Sequence, residues 1–144
     1  MRVRNMKSVL ARFPFLSLDQ AIVLARVATA VFFMAHAIVR ILLGTIPQFG
    51  KFMEAAGFPY GVAIVWLITA SEILCGLLLI SGRYVRFAVL PLLAIAGGGI
   101  AIIHARLGWF VGEFGTGGSE YSVALIVLLL VIAAADRQST SISK

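Results

Sequence analysis

The sequence predicts an all-α transmembrane four-helix bundle with both termini in the cytoplasm. Three observations carry that expectation: composition, the number of apolar stretches, and the placement of the cations. Hydrophobic residues make up 61% of the 144-residue chain and charged residues 12%, against about 45–50% and about 25% in a soluble domain. Mean hydropathy is +1.05. One domain in water cannot hide that much apolar surface. A soluble enzyme, a disordered chain and a disulfide-framed secreted scaffold are excluded.

The elements follow in order. Residues 1–17 form a basic tail carrying Arg2, Arg4, Lys7 and Arg12. A transmembrane domain over 18–136 then holds four apolar spans at about 18–43, 60–80, 87–103 and 121–135. Each is near the roughly 20 residues that cross a ~30 Å hydrocarbon core. Helices are required, because a lipid-exposed strand edge leaves its backbone unsatisfied and four hairpin-length strands cannot close a barrel. The breaks are helix punctuation: Gly44-Thr45-Ile46-Pro47, Gly57-Phe58-Pro59, Ser81-Gly82-Arg83 and the glycine-dense stretch from Gly108 to Gly118. Residues 137–144 are a polar tail. A cleavable signal is disfavoured, because the first apolar run exceeds the usual 7–15 residues and Arg26 interrupts it. In the third span, Ala94, Gly97, Gly98, Gly99 and Ala101 fit close helix–helix packing. With Pro91 nearby, they also fit a broken helix beside a site.

Orientation follows from the cations. The N-terminal tail holds four, the second loop holds Arg83 and Arg86, and the C-terminal tail holds Arg137 and Lys144, eight on one side. Lys51 and Arg106 are two on the other, leaving aside Arg40 at a span end. That asymmetry places both termini in the cytoplasm. The net charge of +6 is thereby assigned to orientation and anionic headgroups, not to nucleic acid. The single cysteine, Cys75, excludes an internal disulfide and a CxxC redox pair and fits a small packing residue.

Ionisable groups inside hydrocarbon cost several kcal/mol unless paired or wetted, so each needs an account. Arg26 lies eight residues from the start of the first span and Glu72 eight residues before the end of the second. Both are therefore roughly 12 Å deep, and the equal depths predict a buried Arg26–Glu72 ion pair, either as a register lock or as a proton or ligand site. His36, Arg40, His104 and Glu120 gather toward the opposite boundary. Two histidines, an arginine and a carboxylate there can bind an anion or a quinone headgroup, or relay protons. The plainer account is interfacial: Arg40 snorkels outward and Glu120 sits on a helix N-terminus. Haem ligation by His36 and His104 and a zinc site adding Glu120 are both disfavoured, and no metal is expected. Trp109, Phe110 and Phe114 suit an interfacial aromatic belt.

These residues resemble the DoxX family of small four-helix integral membrane proteins over roughly 22–136. The resemblance rests on Arg26-Val27, Phe32 to Ala37 with His36, Phe49-Gly50-Lys51-Phe52 and Gly57-Phe58-Pro59. It continues through Ser71-Glu72 to Leu79, Gly82 to Arg86, His104, and Gly117-Gly118-Ser119-Glu120-Tyr121. Where the family tends to have His-Gly followed by Lys, this chain has His36-Ala37 and Arg40. The cation is kept, and a glycine-dependent close approach is not. The resemblance implies a bacterial inner-membrane protein, an accessory subunit of a membrane redox or oxidative-stress assembly. Its partners would be the lipid bilayer, other redox subunits or a further copy of the chain. A quinone-linked oxidoreductase subunit of the thiosulfate:quinone type is the alternative, with quinone as its cofactor. Small-molecule or proton transport is a third reading, resting on the intramembrane charges alone. The sequence contains no CxxC, haem-attachment or nucleotide motif, which favours the accessory role.

Overall fold

The computed structural model describes residues 13–112 and 117–142, with side chains through 138. Arg2, Arg4, Lys7, Arg12, Phe114 and Lys144, used above for orientation and the aromatic belt, lie outside the described residues. Helix α1 (Leu18–Leu42) opens on a capping box. The Ser17 hydroxyl accepts the Gln20 N–H at 3.2 Å, and the Gln20 side chain accepts the Ser17 N–H at 2.9 Å. Two of the orphan amides at the helix start are thereby satisfied, and Asp19 adds a favourable charge in the first turn.

The stretch between the first two spans, read above only as a break, forms a helix of its own, α2 (Ile46–Ala55). Pro47 pre-sets its first turn, and Ile46, Phe49 and Met53 repeat at helical spacing toward α3. Helix α3 (Gly61–Ser81) ends in a Schellman motif. Gly82 is at φ +70°, its N–H reaches Leu79 O at 3.2 Å, and the Arg83 N–H reaches Leu78 O at 3.2 Å. Helix α4 (Val85–Ile102) contains Pro91 without a break and runs into a short 3₁₀ turn, His104–Arg106. Helix α5 (Glu120–Ile142) carries the fourth apolar stretch.

Contacts among the long helices close on themselves: α1 meets α3 and α5, α3 meets α4, and α4 meets α5, while α2 lies against α3. Ala30 and Phe33 of α1, Cys75 and Leu79 of α3, Leu92 of α4 and Leu129 of α5 share one core. Ile46 and Met53 form a second, smaller core with Val65. Outward faces are apolar on every long helix, with Leu24, Leu67, Leu74, Leu90 and Leu130 all exposed. Helices α1, α3 and the stretch Val85–Arg106 are long and apolar enough to cross a membrane.

The small residues of α4 do not serve the packing role expected of them all. Among the described residues, a Cβ added at Gly97 or Gly98 would meet nothing within 4 Å, and one at Gly99 would meet only His104. The close approaches lie elsewhere. A Cβ on Gly61 would fall on the Gly50 carbonyl, so α2 and α3 cross backbone to backbone. One on Gly76 would run into Met34, with the Ala30 carbonyl oxygen 3.5 Å away.

Candidate functional site: a polar centre between α1, α2 and α3

The stagger of α1 against α3 decides which charges meet. Gly76 faces Ala30 and Met34, and Gly82 faces the Arg26 guanidinium. Paired residue numbers therefore total near 108, which sets Glu72 level with the His36 turn of α1 rather than with Arg26. Arg40, one turn further along, reaches back to α3. Its Nη1 donates to Thr69 Oγ1 at 2.7 Å and to Glu72 Oε2 at 2.8 Å. Thr69 in turn donates to the Val65 carbonyl at 2.7 Å. The Arg40 Cζ lies 5.5 Å from the centre of the Phe49 ring, contributed by α2.

This is a buried ion pair. The Arg40 side chain is 14% exposed and that of Glu72 4%. Such a pair is tolerated in an apolar interior only where geometry and extra hydrogen bonds offset the desolvation of both charges. Here the offset comes from Thr69, three residues before Glu72 on the same helix face, and from the Phe49 ring. The Arg40 Nε and Nη2 form no hydrogen bond with the described residues. His36, exposed on α1, lies within electrostatic reach of Glu72.

The expected Arg26–Glu72 pair is not formed. Glu72 belongs instead with Arg40 and His36. Counting depth from the ends of apolar runs assumed that α1 and α3 end level with one another. In the structure α1 begins beyond the α3–α4 turn, and α3 begins beyond the end of α1, where α2 covers it. Arg26 makes no ion pair among the described residues, and its Nε is buried without a hydrogen-bond partner. The other two members of the expected cluster have partners or surroundings of their own. Glu120 Oε1 accepts the Val111 N–H at 2.9 Å, and its own N–H donates to Trp109 O at 3.0 Å, so it ties the loop to the start of α5. The His104 ring sits by Gly99 and Gly117, and its buried Nδ1 has no hydrogen-bond partner among the described residues. No hydrogen bond or ion pair joins either residue to His36 or Arg40 among the described residues.

The DoxX family profile matches residues 21–105, more than half of the chain. The chain belongs to the DoxX family. The matched region of this DoxX protein includes His36, Arg40, Thr69, Glu72 and His104 and stops before the Gly117–Tyr121 motif and α5. Searches of curated proteins and of solved structures found no match.

Sequence reasoning missed two members of the polar centre of this DoxX protein. Thr69 carries a signal in hindsight, because a hydroxyl three residues before a buried carboxylate shares its helix face. Phe49 carried none without α2, since a segment read as a loop gives no facing.

Proposed function

We propose that this DoxX protein is an accessory subunit of a membrane redox or oxidative-stress assembly that holds a quinone headgroup at the His36–Arg40 face. One observation supports this above others. Among the described residues Arg40 is hydrogen-bonded through Nη1, so Nε and Nη2 remain to donate to a carbonyl oxygen beside the exposed His36 imidazole. The pairing with Glu72 and Thr69 fixes where those donors point, which gives the binding face its preorganisation. A bound quinone would supply two-electron carrier chemistry, while the chain's own residues orient its headgroup. The same reading places the protein in the bacterial plasma membrane with α5 as a fourth crossing and both termini cytoplasmic, in line with the alternating cations.

The test is retention of a short-tailed quinone by the detergent-purified protein, measured by extraction and absorbance. His36 is exposed, so His36→Ala should leave the helical content unchanged and lower quinone retention by about tenfold, the equivalent of about one hydrogen bond. Equal retention by the two proteins overturns the site. If the purified chain alone reduces the quinone with thiosulfate, and His36→Ala abolishes that, it is the oxidoreductase rather than an accessory subunit.

A further inference from the structure

A cavity of about 540 Å³ opens at the opposite end of the bundle, between the start of α1, the start of α4 and the end of α5. Its volume lies within the roughly 300–1,000 Å³ typical of small-molecule sites. Arg26 lies at its inner end. The Arg26 Nη1 and Nη2 pack against Gly82, where an added Cβ would come to 3.1 Å from each, and Gly82 closes α3. Ile22 and Asp19 precede Arg26 by about one and two turns of α1, so they line the cavity toward its aqueous mouth. Val85, Ile132 and Ala135 complete an apolar wall.

The cation at the inner end has no counter-charge. Arg26 forms no ion pair or hydrogen bond with the described residues, and its Nε is buried. Two carboxylates share the lining. Asp136 holds Arg86 at 3.3 Å, and Asp19 lies about 10 Å from Arg26 along α1. Residues 1–12 contain no Asp or Glu. A half-buried guanidinium left in this way favours an anionic acceptor, because a charge-assisted hydrogen bond replaces the water it has lost. Nε is closed off, so the acceptor meets Nη1 and Nη2. The space beyond them, toward the mouth, is walled by hydrocarbon. A ligand that fills it enters charge first, with an apolar body behind.

We propose that this cavity binds one water-soluble monocarboxylate with a compact apolar body, aromatic or branched aliphatic. Its two oxygens accept from Arg26 Nη1 and Nη2, since the planar guanidinium matches a carboxylate with two parallel hydrogen bonds. Its body lies against Ile22, Val85, Ile132 and Ala135, on the mouth side of the charge. One unpaired cation matches one negative charge, and Asp19 at the mouth disfavours a second. The site is about 21 Å along α1 from Arg40 and does not depend on the function of the His36–Arg40 face.

The test uses the full chain in phosphatidylcholine nanodiscs and equilibrium dialysis of radiolabelled benzoate, with empty discs as the blank. Saturable binding of one benzoate per chain is expected. Arg26→Gln should weaken it by about tenfold, with Arg26→Lys in between. Ala135→Phe fills the cavity while leaving Arg26 in place and should weaken binding comparably; it serves if Arg26→Gln fails to fold by far-UV circular dichroism. Terephthalate, whose second carboxylate points toward the mouth, should compete less well than benzoate, and Asp19→Asn should narrow that difference. No saturable binding, or undiminished binding in a folded Arg26→Gln protein or in Ala135→Phe, overturns the proposal. Equal competition by neutral benzamide overturns the role of Arg26. Equal competition by acetate or inorganic phosphate makes it a site for any small anion and overturns the role of the apolar wall. Tighter binding of dodecanoate than of benzoate overturns the assignment to a compact body. Terephthalate competing as well as benzoate overturns the role given to Asp19.

Discussion

Truncating either partner of the Arg40–Glu72 pair should be among the most damaging changes the protein can suffer. At 2.8 Å two unit charges attract by roughly 6 kcal/mol in a medium of effective dielectric about 20, before desolvation is counted. Desolvation offsets most of this gain in the intact pair, so its net contribution is small. Removing one partner is different, because the other charge stays buried and uncompensated, at a cost of about 3–5 kcal/mol. Glu72→Gln should fall at the low end, since Thr69 and Phe49 still hold the guanidinium. The assay is unfolding in mixed micelles titrated with SDS and read by far-UV circular dichroism, applied to Arg40→Gln, Glu72→Gln and the double variant. The double variant should lose less than the two single losses together, by about 2 kcal/mol. A second cycle pairs Glu72→Gln with Arg26→Gln. Gly82, the residue Arg26 faces, is ten residues from Glu72, or about 15 Å along α3. The effects should therefore add to within about 0.5 kcal/mol. Coupling of Glu72 to Arg26 that exceeds its coupling to Arg40 would refute the register and everything built on it.

Gly76→Val should destabilise the bundle by roughly 1–3 kcal/mol in the same titration, because its methyl groups collide with Met34 across the α1–α3 contact. Wild-type stability in that variant would mean that the two helices are not in this contact. Ser17→Ala should cost about 1 kcal/mol through loss of the capping box. Amide exchange should quicken in the first turn of α1 and stay unchanged at the Arg40 end.

The elements were largely legible in the sequence and their relative placement was not. Apolar run length located α1, α3 and α4 to within a few residues, because a span must satisfy its backbone internally and its length is set by the bilayer. Glycine and proline marked the turns, and Gly82 fulfils that role directly by closing α3 with a left-handed residue. Helix α2 escaped because ten residues between two breaks look like a connection. The spacing of Ile46, Phe49 and Met53 becomes persuasive only when there is a surface for it to cover. The small residues of α4 misled for a related reason: their size permits close packing, but permission does not create a neighbour, and an added Cβ at Gly97 or Gly98 meets none among the described residues.

What the sequence determined by itself is the solvent, the helical class and the short list of charges that need an explanation inside it, because these depend on composition and local periodicity. Which of those charges meet was decided by tertiary structure alone. Gly50 against Gly61 lets α2 seat on the first turns of α3, and Gly76 against Met34 fixes α1 beside it. Together these contacts slide α1 along α3 by about ten residues from the alignment that equal depths suggest. That slide gives Glu72 to Arg40 and leaves Arg26 facing a cavity. Helix stagger is set by side-chain interlocking between surfaces distant in sequence, so no count along either helix reveals it.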